Sequence, residues 1–180
     1  MEFTKTSLNG AYLIELEKRV DERGFFARTW CADEFAKAQL KTNLVPQNMS
    51  FTQKAGTLRG LHFQKEPHAE TKVVRCTKGK IYDVIIDLRP ESATHKQWFG
   101  IELSADNYKM LYIPEGFAHG FVTLEDNCEV TYLVTAFYTP SADSGVRYND
   151  PVFNIKWPVE VKYVSKKDKS FPDYVPSFRG

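Results

Sequence analysis

The run Arg59-Gly60-Leu61-His62-Phe63-Gln64 sets an imidazole in the middle of an alternating segment. Residues i and i+2 of a strand share a face, so Gly60, His62 and Gln64 are expected on one side and Arg59, Leu61 and Phe63 on the other. A strand fixes the backbone beneath a base, which suits His62 to proton abstraction. The competing reading is a histidine satisfied within the core. Lys72, in Thr71-Lys72-Val73-Val74, has apolar neighbours. In a cleft of low dielectric its ammonium would stabilise a developing oxyanion, whereas at an edge it would simply be solvated. Tyr132 alternates with Val130 and Val134. An inward phenol either packs with its hydroxyl on the backbone or acts as a general acid toward an enolate. Tyr138, further along the same run, offers a ring that can stack on a planar base.

Other residues suit a phosphorylated ligand. Arg23, Arg59 and the run Gln47-Asn48-Met49 offer donors, and arginine makes bidentate phosphate contacts. No Walker loop and no Gly-x-Gly-x-x-Gly is present, so side chains rather than a helix end would hold the phosphates. Pro114-Glu115-Gly116-Phe117-Ala118-His119-Gly120 reads as a tight turn into a strand. It is either a bend at a barrel corner or a place where a ligand approaches the backbone, with His119 donating to it. A metal site is not expected. Gln64 stands where a metal-binding jelly roll usually has its second histidine, and two lone imidazoles make a poor site. No cofactor motif is seen.

The elements that must carry these groups are mostly strands. Period-two runs cover residues 12–16, 56–64, 71–77, 80–88, 97–103, 109–113, 119–123 and 129–137, separated by turn signals such as Lys78-Gly79 and Glu125-Asp126-Asn127. They predict an all-β antiparallel sandwich or barrel. One helix is expected over residues 33–40, with Asp33 as its cap and Phe35, Ala36 and Leu40 on its buried face. After Trp157 the chain becomes polar, and residues 160–180 read as an irregular arm on a single domain spanning 1–180. A net charge of +1 gives no field for nucleic acid or an acidic membrane. Three scattered cysteines and no apolar leader fit a reducing cytoplasm.

Several longer motifs are shared with one family. Asp21 to Phe26, Leu58 to Gln64, Asp83 to Arg89, Ile113 to Phe121, and Asn149-Asp150-Pro151 with Ile155 to Pro158 resemble, in order, the dTDP-4-dehydrorhamnose 3,5-epimerase family. The resemblance runs from about residue 2 to 174. It implies a cupin-type jelly roll, a homodimer, no metal, no cofactor, and action on nucleoside-diphosphate 4-keto-6-deoxy sugars. It implies His62 as base, Asp168 as the carboxylate that orients it, Tyr132 as acid and Lys72 as the cation near O4. Arg59, His119, Gln47, Asn48, Met49 and Lys167 become substrate contacts, and Tyr138 the aromatic that stacks on the base. Arg23 becomes a residue that crosses to the partner's site. The chain departs from the family's usual residues at Arg28 and Asp143, which are commonly glutamate there, at His68, and at Leu133. Arg28 and Asp143 are still expected near the ligand. A CDP-linked sugar, inversion at a single carbon, and a binding protein without turnover remain as alternatives.

Overall fold

The computed structural model describes residues 1–175, which form fourteen short strands and two short helices. The strands are β1 (Glu2–Lys5), β2 (Tyr12–Glu15), β3 (Arg19–Asp21), β4 (Gly24–Phe26), β5 (Gln47–Thr52), β6 (Thr57–Gln64), β7 (Lys72–Lys78), β8 (Lys80–Asp87), β9 (Trp98–Ser104), β10 (Met110–Ile113), β11 (Phe117–Thr123), β12 (Cys128–Val134), β13 (Asp143–Gly145) and β14 (Tyr163–Val164). Helix α1 (Ala32–Lys37) precedes β5, and α2 (Lys166–Lys169) follows β14.

Two sheets carry the fold. The first has the order β1-β2-β10-β7-β12-β5, and the second β13-β6-β11-β8-β9, with β14 added in parallel beside β6. Alternation along the central strands sorts their side chains into layers. Val74, Leu111 and Val130 of the first sheet meet Ile81, Ile85, Phe117 and Phe121 of the second. The other faces of the same strands are covered as well. Val73, Met110 and Tyr112 pack beneath α1 and the N-terminal strands, around a fully buried Phe35. Leu61, Val84, Ile86 and Ala118 pack beneath the segment carrying Tyr148, Phe153 and Trp157. Strands buried on both faces read as apolar runs with little polar punctuation, as residues 81–86 do.

Three expectations are corrected. Helix α1 is capped at Cys31 without a side-chain hydrogen bond, and Asp33 lies inside its first turn. The strand read as 129–137 stops at Val134. The region after residue 160 is not merely an irregular arm, since β14 pairs with β6 and α2 buries Asp168. Ser165 caps α2, its Oγ accepting from the Asp168 N–H at 3.0 Å.

Strand β6 also breaks its own alternation. His62 pairs with His119, but Arg59 pairs with Phe121, so β6 spends one more residue than β11 between these points. Such a bulge reverses the parity of the strand. Arg59 and His62 therefore face the same cavity, although simple alternation puts them on opposite sides. Gly60 makes this approach feasible. Its φ is +128°, and a Cβ there would lie 2.5 Å from Gly120 Cα and 2.9 Å from the His119 carbonyl oxygen.

Candidate active site

A cavity of about 480 Å³ opens between the two sheets at one end of the sandwich. Its second-sheet wall carries Arg59 and His62 from β6 and His119 from β11. Its first-sheet wall carries Asn48 and Ser50 from β5, Lys72 from β7 and Tyr132 from β12. Tyr132 pairs with Asn48 on one side and Val74 on the other, and Val134 pairs with Lys72. Pairing places Tyr132 and Lys72 on one face as diagonal neighbours, within reach of a common ligand.

His62 Nε2 lies 2.7 Å from Asp168 Oδ1. The His62 side chain keeps 35% of its surface exposed and that of Asp168 only 6%. Burial alone pushes the Asp168 carboxyl up. The contact with His62, the Gly60 N–H on Oδ2 and the Ser165 hydroxyl outweigh burial and hold it below the usual carboxylate value. An ionised carboxylate only accepts hydrogen bonds, so Nε2 carries the hydrogen and Nδ1 the lone pair. Phe171 packs edge-on against the imidazole, with centroids 5.9 Å apart. These contacts fix both the tautomer and the orientation of the ring.

Across the cavity the Tyr132 phenol is pushed up, mainly by burial, then by the charge of Glu70, with Arg59 opposing. It stays protonated and is able to give a proton. Lys72 is nearly buried, and its Nζ lies 3.2 Å from Glu70 Oε1. The other Glu70 oxygen accepts from Gln64 Nε2 at 3.3 Å, and that amide also reaches the backbone at His68 and Phe137. Arg59 is held by Thr52 Oγ1 at 2.9 Å and by the Phe51 carbonyl at 3.1 Å.

At the rim, Tyr138 is largely exposed, and its hydroxyl donates to Asp143 Oδ2 at 3.0 Å. Lys167 binds the same oxygen. Burial pushes the Asp143 carboxyl up, but Lys167 and Tyr138 together hold it low. Tyr138 is pushed up, first by its bond to Asp143.

The structure thus brings His62, Lys72, Tyr132, Asn48, Arg59, His119, Tyr138, Asp143 and Lys167 around one cavity, with Asp168 directly behind His62. Four expected contacts lie elsewhere in this chain. Gln47 and Met49 alternate with Asn48 and Ser50, so their side chains are on the outer face of β5. Arg28 pairs with Glu34 at 3.0 Å in a separate shallow depression. Arg23 pairs with Asp21 at the exposed tip of the β3–β4 hairpin. Sequence reasoning missed Ser50 and Glu70. Both were within reach of it, since each sits two residues from a residue it named, Asn48 and Lys72. It also missed Asp83, a carboxylate among the apolar residues of β8 that binds His119 Nε2 at 2.8 Å. Among the described residues no group of three or more histidine, cysteine or acidic side chains could hold a metal ion.

Two packed sheets with an imidazole–carboxylate pair facing a phenol and an ammonium define a cupin-type jelly roll equipped for acid–base work. The family model for dTDP-4-dehydrorhamnose 3,5-epimerase matches residues 5–175. The dTDP-4-dehydrorhamnose 3,5-epimerase of Methanothermobacter thermautotrophicus is 44% identical over 172 residues, covering 94% of this chain and 92% of that protein. The crystal structure of the Bacillus anthracis enzyme of that name, with TDP and PPi bound, superposes with a TM-score of 0.93 at 43% identity, covering 96% of this chain and 99% of that one. That of the Legionella pneumophila dTDP-6-deoxy-D-glucose-3,5-epimerase, in complex with dTDP-4-keto-L-rhamnose, gives 0.87 at 33% identity, covering 97% and 98%. The chain belongs to the dTDP-4-dehydrorhamnose 3,5-epimerase family.

Proposed function

We propose that this protein inverts C3 and C5 of a dTDP-4-keto-6-deoxyhexose by proton removal and return through an enolate. The observation that carries the mechanism is the placement of His62, backed by Asp168, and of Tyr132 on opposite walls of one cavity. The family membership and the dTDP ligands of its solved relatives supply the substrate class.

The C4 ketone acidifies the hydrogens on C3 and C5. His62 Nδ1 takes one of them, Asp168 stabilises the imidazolium, and negative charge gathers on O4. The Lys72 ammonium meets that charge as it forms. Tyr132 gives a proton to the opposite face of the same carbon, which inverts it. The base then holds an extra proton and the phenol lacks one, and exchange with solvent resets both before the second carbon reacts. Arg59, His119 and Lys167 hold the diphosphate, Tyr138 stacks on the base, and Asn48 lines the sugar end. A homodimer completes the site: the β3–β4 hairpin, with Val20 and Phe26 exposed at 76% and 66%, packs on a second copy and delivers Arg23 to its cavity.

Turnover of dTDP-4-keto-6-deoxyglucose in deuterium oxide tests this reading. Label is expected at both C3 and C5, and H62A should abolish it. Label at one carbon only would reduce the activity to a single-site epimerase. Turnover of the CDP-linked sugar alone would replace the nucleotide, and wash-in at neither carbon would remove the activity.

A further inference from the structure

A second imidazole–carboxylate pair stands beside the first, and the chemistry above gives its carboxylate no task. His119 faces His62 directly across β6 and β11, and its Nε2 lies 2.8 Å from Asp83 Oδ1. The two carboxylates are held differently. Asp168 is bonded through both oxygens, to His62 and to the Gly60 N–H. Asp83 is fully buried, and its Oδ2 has no hydrogen-bond partner among the described residues. A buried carboxylate served by one neutral donor is poorly compensated, whereas an imidazolium neutralises it.

The geometry of His119 points the same way. Its Nε2 is committed to Asp83, which leaves Nδ1 for a ligand in the cavity. A phosphate oxygen only accepts, so Nδ1 must carry a hydrogen to bind it. Both ring nitrogens are then protonated. Other charged groups face the same space. Arg59 and His62 come from β6, with Asp168 behind His62, while Lys72, Glu70 and Tyr132 face them from across the cavity and Lys167 and Asp143 from the rim. Deeper between the sheets, the Cys76 thiol of β7 is pushed up to about 12 by burial first, then by Cys128, with Asp83 a lesser cause. Asp83 is the carboxylate in direct contact with the His119 ring.

This step rests on reading the cavity as a nucleotide-sugar site. We propose that Asp83 is a positioning residue that holds His119 doubly protonated when a diphosphate is bound, so that binding takes up a proton from solvent at this pair. Affinity for the nucleotide then falls as pH rises above neutrality.

Calorimetric titration of the intact protein with dTDP near pH 8, in buffers of differing ionisation heat, counts the protons taken up. Wild type and H62N should take up the same fraction of a proton, while D83N and H119Q should take up none. Loss of a charge-assisted bond predicts binding about 10-fold weaker in D83N, with a flat pH dependence. Thermal unfolding shows whether D83N is folded, and if it is not, H119Q carries the comparison. Unchanged uptake in the folded D83N or in H119Q would overturn the proposal, as would uptake lost in H62N. If dTDP does not bind at all, the nucleotide reading fails on its own. Titration with inorganic pyrophosphate then tests the pair, and no uptake with that probe would also overturn it.

Discussion

Lys72 and Tyr132 share one wall of the cavity, but the proposed mechanism gives them different moments of the reaction, and substitutions should separate them. Lys72→Met removes the cation at O4 while keeping the length and the apolar stem of the side chain. Loss of one such electrostatic contact is worth ~3 kcal/mol, so kcat should fall by about 10²–10³-fold, with a much smaller change in KM. An unchanged kcat would take Lys72 out of the transition state. Tyr132→Phe leaves His62, Asp168 and Lys72 in place, so the enolate still forms. The proton then returns only from the side it left. In deuterium oxide the variant should exchange C3 and C5 hydrogens with retention, faster than it makes inverted product. If exchange and inversion fall together, Tyr132 is needed for proton removal itself, and its role as acid on the far face is wrong. Asp168 shows where residue types alone stop informing. It sits in Lys166-Lys167-Asp168-Lys169, which reads as a solvated charged run, and only the family resemblance drew attention to it. Its burial comes from α2 docking beside Gly60, more than a hundred residues away in sequence.

At the scale of elements, the site depends on how closely β6 and β11 approach. Gly60→Ala would press a methyl onto the backbone of Gly120 and His119, neither of which can swing aside. Gly24, in the exposed hairpin, has the same φ of +128°, but a methyl there would meet nothing within 4 Å. Strain alone at Gly24→Ala costs on the order of 1–3 kcal/mol, whereas backbone collision added at Gly60→Ala should exceed about 4 kcal/mol. Equal urea midpoints for the two variants would show that β6 and β11 separate freely. The β8 terminus gives a pH-dependent counterpart. Asp87 accepts from Arg89 Nε at 2.9 Å, Arg89 Nη2 at 2.7 Å, Ser92 Oγ at 2.5 Å and Thr94 Oγ1 at 2.7 Å. Burial pushes its carboxyl up, but these bonds outweigh burial and hold it low. The unfolded chain therefore binds the proton first as pH falls. The contribution of Asp87 is present above the unfolded value of about 4 and is lost as pH drops through the lower folded value. Asp87→Asn should flatten the acid side of a stability–pH curve from urea unfolding, and an unchanged slope would mean the network is not formed in solution. The central strands β7, β8, β10 and β12 were legible because burial enforces apolar residues along them, bounded by turn signals. Strands β13 and β14, of three and two residues, carry too little pattern to read. The bulge in β6 was invisible for another reason: it exists only as a mismatch with β11, so no reading of one strand could place Arg59 beside His62.

For the whole molecule, the question is whether the site is complete within one chain. The β3–β4 hairpin turns its apolar residues outward and holds Arg23 away from its own chain's cavity. Such a hairpin is costly to leave in water and suits a two-fold interface, where each copy gives what it receives. Phe26→Asp should then shift sedimentation equilibrium from dimer to monomer and lower activity at the same time. A fully active monomer would sever the link between assembly and site. Trans contribution can be tested more sharply by mixing subunits. Arg23→Ala and His62→Ala are each expected to be nearly inactive as pure proteins. If Arg23 acts across the interface, a mixed dimer holds one cavity lacking both groups and one lacking neither. Random reassociation of equal amounts makes half the dimers mixed, so about one quarter of wild-type activity should return by the two-fold symmetry of the interface. If Arg23 serves its own chain, every cavity in the mixture lacks one group and nothing returns. The recovered fraction thus decides whether the hairpin belongs to its own chain's site or to its neighbour's.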